Sequence, residues 1–536
     1  MTQRLALDSV AIRDDRLFGW GWFLDDDAAA ARLVLRIHAQ DGSVRELRCP
    51  QGGTRPDLAA AFPALPHAAG GGFMLQARIP GSAQIAAVDM HIRLVDGREL
   101  VEGLPELARS LNQRCAGSSS IVATPERTHT GAHLPAMARL RSAWRRLREL
   151  LSRWLAGAEP AAAIEANIAV AGAWVMFDHA MGGGANQFRE LKLAQWRAAG
   201  HRVVLVTPVL ATLEYEVAGL GTDGAEVRRF PDLQVCLAAL APCAHVIIND
   251  LVSFDDPLLV VEWVQARKRE GSRLTYYLHD FHAACPSFTL TASDHRFCGV
   301  PDLGVCARCL PANDAPFLGM LRSFDVADWR AEWRQLLAAA DDLIAFSPAS
   351  LRLLSRAFPG LDLARARVQP HSMDYLPTGA PPFQPSLGPV TRIGIVGAIS
   401  AYKGAAIVAQ MAKLIEQEQL PARLVVIGTL DGATPSPVLR VTGAYLQGDL
   451  PELLAREGIS VAFLPSVVHE TFSYVTAELM HHHVPLAVFD LGAPAERVRD
   501  YALGRVIRAV DARAALIELI DLHHTLAASA RLAGAA

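Results

Sequence analysis

Hydrophobic and polar positions change rhythm along this chain. Over residues 1–110, short apolar runs are closed by turn signals: LFGWGWFL runs into DDD, ARLVLRIHA into DGS, and GFMLQARI and VDMHIRLV precede DGRE. Runs of this length between Asp- and Gly-rich turns predict an all-β module. From 111 to 164 the periodicity fades through CAGSSS and TPERTHTG and returns once, where Met137, Leu140, Trp144, Leu147, Leu151 and Trp154 recur at steps of three and four. That spacing draws one apolar stripe on a helix. The other faces carry Arg139, Arg141, Arg145, Arg146, Arg148 and Arg153 against the single acid Glu149. The segment therefore reads as a linker with an amphipathic basic helix, suited either to an anionic membrane surface or to packing on its own protein.

Beyond 165 strands alternate with helices. NIAVAGAWVMF, a helix through FRELKLAQWRAAG, HRVVLVT, AHVIIND, RLTYYLHD and DDLIAFS fill 165–375. The Pro-rich LPTGAPPFQPSLGP at 376–389 breaks the series, which resumes with TRIGIVGAI, ARLVVIG, ISVAFLP and VPLAVFD over 390–510 and ends in a helical tail, 511–536. Alternation of this kind predicts parallel sheets with helices on both faces. The expected class is α/β: two Rossmann-like domains preceded by a small all-β, sandwich-like domain and a helical linker. Two such domains leave a cleft between the carboxyl ends of their strands, where ligands of α/β folds bind.

Length and composition agree with about three compact units, since 536 residues exceed one ordinary core and 51% of them are hydrophobic. A net charge of −4 excludes the strong basic excess of a nucleic-acid binder. The opening MTQRLALDSVAIRDDR is broken by charge throughout, and no stretch approaches the roughly 20 apolar residues of a spanning helix. A cytoplasmic protein is expected, with any membrane contact peripheral and at the cytoplasmic face of the inner membrane.

Three turns carry candidate chemistry. Met181-Gly182-Gly183-Gly184-Ala185-Asn186 follows a strand and opens a helix, so Gly183 and Gly184 would let an anion approach the free amides there; a purely structural Gly turn reads equally well. Gly397-Ala398-Ile399-Ser400-Ala401-Tyr402-Lys403-Gly404 places a lysine beside a helix start, suited to a diphosphate or simply to solvent. Pro465 to Glu478 sets Glu470 in a turn and Glu478 eight residues on, along a helix expected to start near Thr471 with Thr471 and Ser473 as caps.

The segment ETFSYVTAE resembles the E-x7-E signature of retaining glycosyltransferases of family 4, which adopt the GT-B fold. The Gly turn at 182–184, the strand end Tyr277-Leu278-His279-Asp280, the Lys403-Gly404 pair and LGAPAERV at 491–498 follow in that family's order. By this resemblance Glu470, His279 and Lys403 would be the catalytic group, with Glu470 beside the donor sugar, Lys403 on its diphosphate and His279 near the sugar. Glu478 would bind the ribose, and the amides of Thr471, Phe472 and Ser473 would complete the donor site. The resemblance implies a nucleotide-diphosphate sugar donor, a glycan or lipid-linked acceptor of bacterial surface polysaccharide or lipopolysaccharide synthesis, and a retaining reaction with no cofactor or metal in catalysis. Many members carry an arginine where Ala398 stands here. That departure keeps a second reading open, a transferase-like scaffold without turnover; a nucleotide-sugar epimerase or hydrolase on the same fold is a third.

Cys285, Cys298, Cys306 and Cys309 cluster in CPSFTLTASDHRFCGVPDLGVCARC, whereas the other cysteines are scattered. The Cys-x2-Cys pair and two further thiols predict either a structural zinc or four reduced thiols. His481, His482 and His483 point in different directions as consecutive residues and are read as a helix end.

Overall fold

The computed structural model describes residues 4–113, 120–122 and 172–535, apart from residues 54, 63, 66, 80–83, 221–223, 241, 322–324, 380–381 and 433–434. The basic helix expected at 134–155 lies outside the described residues.

The N-terminal unit is a sandwich of two antiparallel sheets. One has the strand order Gln51–Gly53, Gly72–Arg78, Arg16–Leu24, Arg4–Arg13, Ser120–Val122; the other runs Val44–Arg48, Ala30–Ala39, Ile85–Leu94, Glu99–Gly103. Alternation explains the pairing: Val88, Met90, Ile92 and Leu94 of one strand turn inward onto Leu33, Leu35, Val10, Leu17 and Leu75. The boundary expected at 110 falls inside the helix Pro105–Gln113, which buries Leu107 and Leu111 in this core, and Ser120–Val122 pairs back onto the first strand. Asp25 of the DDD run serves the turn, accepting bonds from the amides of Asp27 (3.0 Å) and Ala28 (3.1 Å).

The next unit is an eight-stranded sheet in the order Glu226–Phe230, Glu214–Leu220, Val203–Val209, Trp174–Phe177, His245–Ile248, Arg273–Leu278, Asp342–Ala345, Ala366–Val368. From Val203–Val209 to Ala366–Val368 it is parallel. The first two strands are antiparallel, an edge the expected all-parallel alternation did not contain. EYEVAGL, with its every second residue buried, returns along the sheet in place of a crossover helix.

The C-terminal unit is a wholly parallel six-stranded sheet: Leu439–Val441, Ala422–Leu430, Thr391–Ile399, Val461–Leu464, Leu486–Phe489, Gly504–Ile507. VAFL and LAVF are buried at every position, as strands covered on both faces must be. The tail helix Ala512–Ala535 is part of this unit, because Ala515, Leu516, Leu519 and Leu522 enter the core under Ile393 and Phe463. The chain is thus mixed α/β with parallel sheets behind a β-rich N-terminal region.

Candidate active site

A cavity of about 870 Å³ lies between the carboxyl ends of the two α/β sheets, and every site residue expected from the sequence outside the cysteine cluster lines it. Gly183, Gly184, His279, Lys403, Glu470, Thr471, Phe472, Ser473 and Glu478, from segments up to about 300 residues apart in the chain, meet on its walls.

Backbone conformation builds each wall. After the strand Trp174–Phe177, Gly182 and Gly183 take φ of +83° each and the helix Gly183–Ala198 begins. Asn186 fixes this turn: its Oδ1 accepts from the Gly182 amide (2.6 Å) while its Nδ2 donates to Asp178 (3.0 Å). On the facing domain Lys403 sits exposed in the turn between Thr391–Ile399 and Ala405–Glu418. Gly404 there has φ +87°, and a Cβ on it would stand 2.1 Å from the Pro465 carbonyl oxygen, so only glycine lets the two loops pass.

The Glu470 turn differs from expectation at its helix start. The helix is Tyr474–His481 and Ser473 alone caps it, accepting from the Thr476 amide at 3.4 Å. Thr471 is no cap. Its hydroxyl donates across the cleft to the His279 carbonyl at 2.8 Å, tying the two α/β domains together, and the chain reaches helical geometry only after Ser473, held at φ +69°. Glu478 is 3% exposed. Its Oε1 accepts from Tyr375 Oη (2.8 Å) and from Gln447 Nε2, while Oε2 takes no bond from the described residues. His279 Nε2 lies 3.0 Å from Asn249 Oδ1, and burial, with His371 and His179 nearby, holds its pKa well below the ordinary value. It is a neutral ring whose Nε2 donates to Asn249.

Sequence reasoning missed three features of the cleft. His371 is stacked on Phe472 at 4.4 Å and faces Phe346 at 4.0 Å, with burial pushing its pKa down to about 3. Asp250 lies close to Asp280; burial, then Asp178, pushes Asp250 up to about 8, and burial, then Asp250, raises Asp280 well above the ordinary carboxylate value. Arg497 reaches under the Glu470 turn. None has a spacing signature, because each acts through contacts between distant segments.

The cysteine segment is expected to hold either a structural zinc or four reduced thiols. Among the described residues no three His, Cys, Asp or Glu side chains come together to hold a metal ion. Three of the thiols have polar partners: Cys285 Sγ with Ser287 Oγ (3.2 Å), Cys309 Sγ with the Ser293 amide (3.3 Å), and Cys306 Sγ with Arg330 (3.6 Å); Cys298 lies near enough to Cys306 and Cys309 to feel their charge. Burial pushes the Cys285 thiol up to about 11. Cys298 likewise has its pKa raised by burial. The segment also packs on the cleft, where Phe297 stacks on His469 at 5.8 Å.

The fold places two α/β domains behind a β sandwich, with a cavity between the two. Residues 390–524, which span the C-terminal sheet and half of the closing helix, match the family described as group 1 glycosyl transferases. No match was found among curated proteins. Among solved structures the chain is similar to a glycosyltransferase from Rickettsia africae (11% identity, 67% of this chain and 92% of that one, TM-score 0.40). It is also similar to sucrose-phosphate synthase from Thermosynechococcus elongatus (14%, 66% and 89%, TM-score 0.39) and to Anabaena HepE in complex with UDP-glucose (12%, 66% and 94%, TM-score 0.37). Among the described residues no helix is long and apolar enough to cross a membrane.

Proposed function

We propose that this chain is a retaining GT-B glycosyltransferase that moves a sugar from a nucleotide-diphosphate donor to a glycan or lipid-linked acceptor in bacterial surface polysaccharide synthesis. The observation that carries this reading is the meeting of Lys403, Glu470, Glu478 and the amides of 471–473 on one wall of the cleft, inside the segment that matches group 1 glycosyl transferases. The bottom-up chemistry agrees. Lys403 and the amides stabilise charge collecting on a departing diphosphate; Glu470 orients sugar hydroxyls; Glu478, with Oε1 occupied and Oε2 open, accepts from a ribose hydroxyl. These residues suit charge stabilisation without a protein nucleophile or metal, so the diphosphate oxygen itself takes the acceptor proton on the face the donor leaves.

The test is a thermal-shift screen of UDP, GDP and dTDP sugars, followed by transfer with the donor that binds and NMR assignment of the product anomer. Retention in an extended acceptor supports the reading. Inversion, free sugar or an epimer overturns it. Glu470→Gln and Lys403→Ala should each lower kcat about 100-fold or more with an unchanged melting temperature.

The basic helix at 134–155 would hold the enzyme at the membrane where lipid-linked acceptors reside. Co-sedimentation with anionic vesicles should then fall with salt and with replacement of its arginines by glutamine; sedimentation alike in all arms removes this part.

A further inference from the structure

Arg497 lies on the helix Gly492–Arg499, behind the Glu470 turn and off the cleft wall. Its Nη2 donates to the carbonyl oxygens of both Phe472 and Ser473, the latter at 3.0 Å, and its guanidinium sits 4.6 Å from the centre of the Phe472 ring. No carboxylate shares it: Glu470 and Glu496 are near enough to bias its charge, but its hydrogen bonds go to main chain. Burial lowers its pKa to about 10, so it stays a cation at neutral pH.

A trans peptide is planar, so its carbonyl and the next residue's amide point in opposite directions. Drawing the Phe472 and Ser473 carbonyls back toward Arg497 turns the Ser473 and Tyr474 amides the other way. Thr471 to Val475 all line the cleft, and among the described residues none accepts a bond from their backbone amides. Such a run of unpaired donors at a helix start favours an anion. Ser473 sits at φ +69°, a conformation that persists only when its surroundings impose it, and two bonds from one guanidinium do so. The cleft wall carries alanine at 398, so Lys403 is the cation present on that wall's Gly397–Gly404 turn.

We propose that Arg497 is the positioning residue of the diphosphate site: without touching the donor, it aims the amides of the 471–475 turn into the cleft and places a fixed positive charge behind them. This rests on the nucleotide-sugar reading and adds to it a site whose charge comes from beneath the turn.

The experiment compares wild type with Arg497→Gln and Arg497→Lys. Titration calorimetry measures the nucleoside diphosphate that most raises the melting temperature, and its parent nucleoside; 31P NMR measures inorganic pyrophosphate alone. Arg497→Gln should weaken diphosphate and pyrophosphate binding at least about tenfold, leave nucleoside binding within about twofold, and lower kcat about 100-fold. Arg497→Lys keeps a cation but cannot bridge two carbonyls as a planar fork does, so it should fall between, and it serves if the glutamine variant does not fold. Equal losses for nucleoside and diphosphate would make Arg497 a structural brace, and no loss would sink the idea outright. If no nucleotide binds wild type, the donor reading fails, while the pyrophosphate arm still decides the role of Arg497.

Discussion

A carboxyl group in this cleft has one of two fates, set by what surrounds it. Glu478 is buried yet given a hydroxyl and an amide donor, so it is held in one orientation with an oxygen left for a ligand. Asp250 is buried beside Asp178 and Asp280, and although it accepts from the Val252 amide at 2.7 Å and lies 3.4 Å from His179 Nε2, burial favours its protonated form. Its folded pKa, about 8, lies above its unfolded value, so its contribution to stability is full at low pH and is lost as pH rises from about 4 through 8. Asp250→Asn removes that loss. The melting temperature of the variant relative to wild type should therefore rise between pH 5 and pH 8, read by calorimetry at both; a difference independent of pH would show Asp250 ionised in the fold. The histidines of the cleft titrate with the opposite sign. His371, His469 and His279 have depressed values, so they cost stability as pH falls below the ordinary imidazole range.

At the scale of elements, the turn from Pro465 into Tyr474–His481 shows what a sequence can and cannot disclose. The strand VAFL and the spacing of Glu470 and Glu478 were legible, because burial on both faces writes a continuous apolar run and a helix writes a fixed rise per residue. The helix start was not. Thr471 and Ser473 are equally good caps on paper, and the choice between them was made by the His279 carbonyl, about 190 positions away. The same reason hid Arg497, His371 and the closeness of Asp250 to Asp280. The hairpin from Glu214 to Phe230 escaped because an alternating run reads as a strand without saying which way it runs. Ser473 supplies the element's own test. Ser473→Ala loses the cap and keeps the strained φ, and should cost about 1 kcal/mol or more; Ser473→Gly loses the cap but adopts φ +69° freely, and should be near neutral. Denaturant unfolding of both measures this, and equal losses would mean the strain carries no energy.

At the scale of the whole molecule, one buried acid joins the β sandwich to the first α/β domain. Arg78 and Arg16 of the β sandwich both reach Asp255 of the first α/β domain, at 2.8 and 3.3 Å, and Tyr215 donates to its other oxygen. Arg78 also binds the Met320 carbonyl at 2.8 Å, and Phe18 stacks on Phe317 at 6.2 Å beside Val252 and Leu213. The loop so gripped runs from Asn249 and Asp250 to Asp255, and its first half reaches the cleft. On the other side Gly70 of the sandwich packs against Gly432, where a Cβ would come within 2.6 Å of its Cα, so the module touches both α/β domains. An accessory domain placed this way braces the 249–255 loop on the cleft wall. Stripping a buried charge of its partner costs about 3–5 kcal/mol, and because Arg16 also reaches Asp255 the loss of Arg78 should cost less than that. Arg78→Met should accordingly lower the urea midpoint of the transition that separates the sandwich from the first α/β domain, and open residues 249–255 to hydrogen exchange. Arg78→Met combined with Asp255→Asn neutralises the under-compensated acid as well, so part of the loss should return, and the coupling between the two sites is read from the double-mutant cycle. If the double variant is as unstable as the sum of the two single ones, the arginine acts through packing alone and the acid is not what joins the domains.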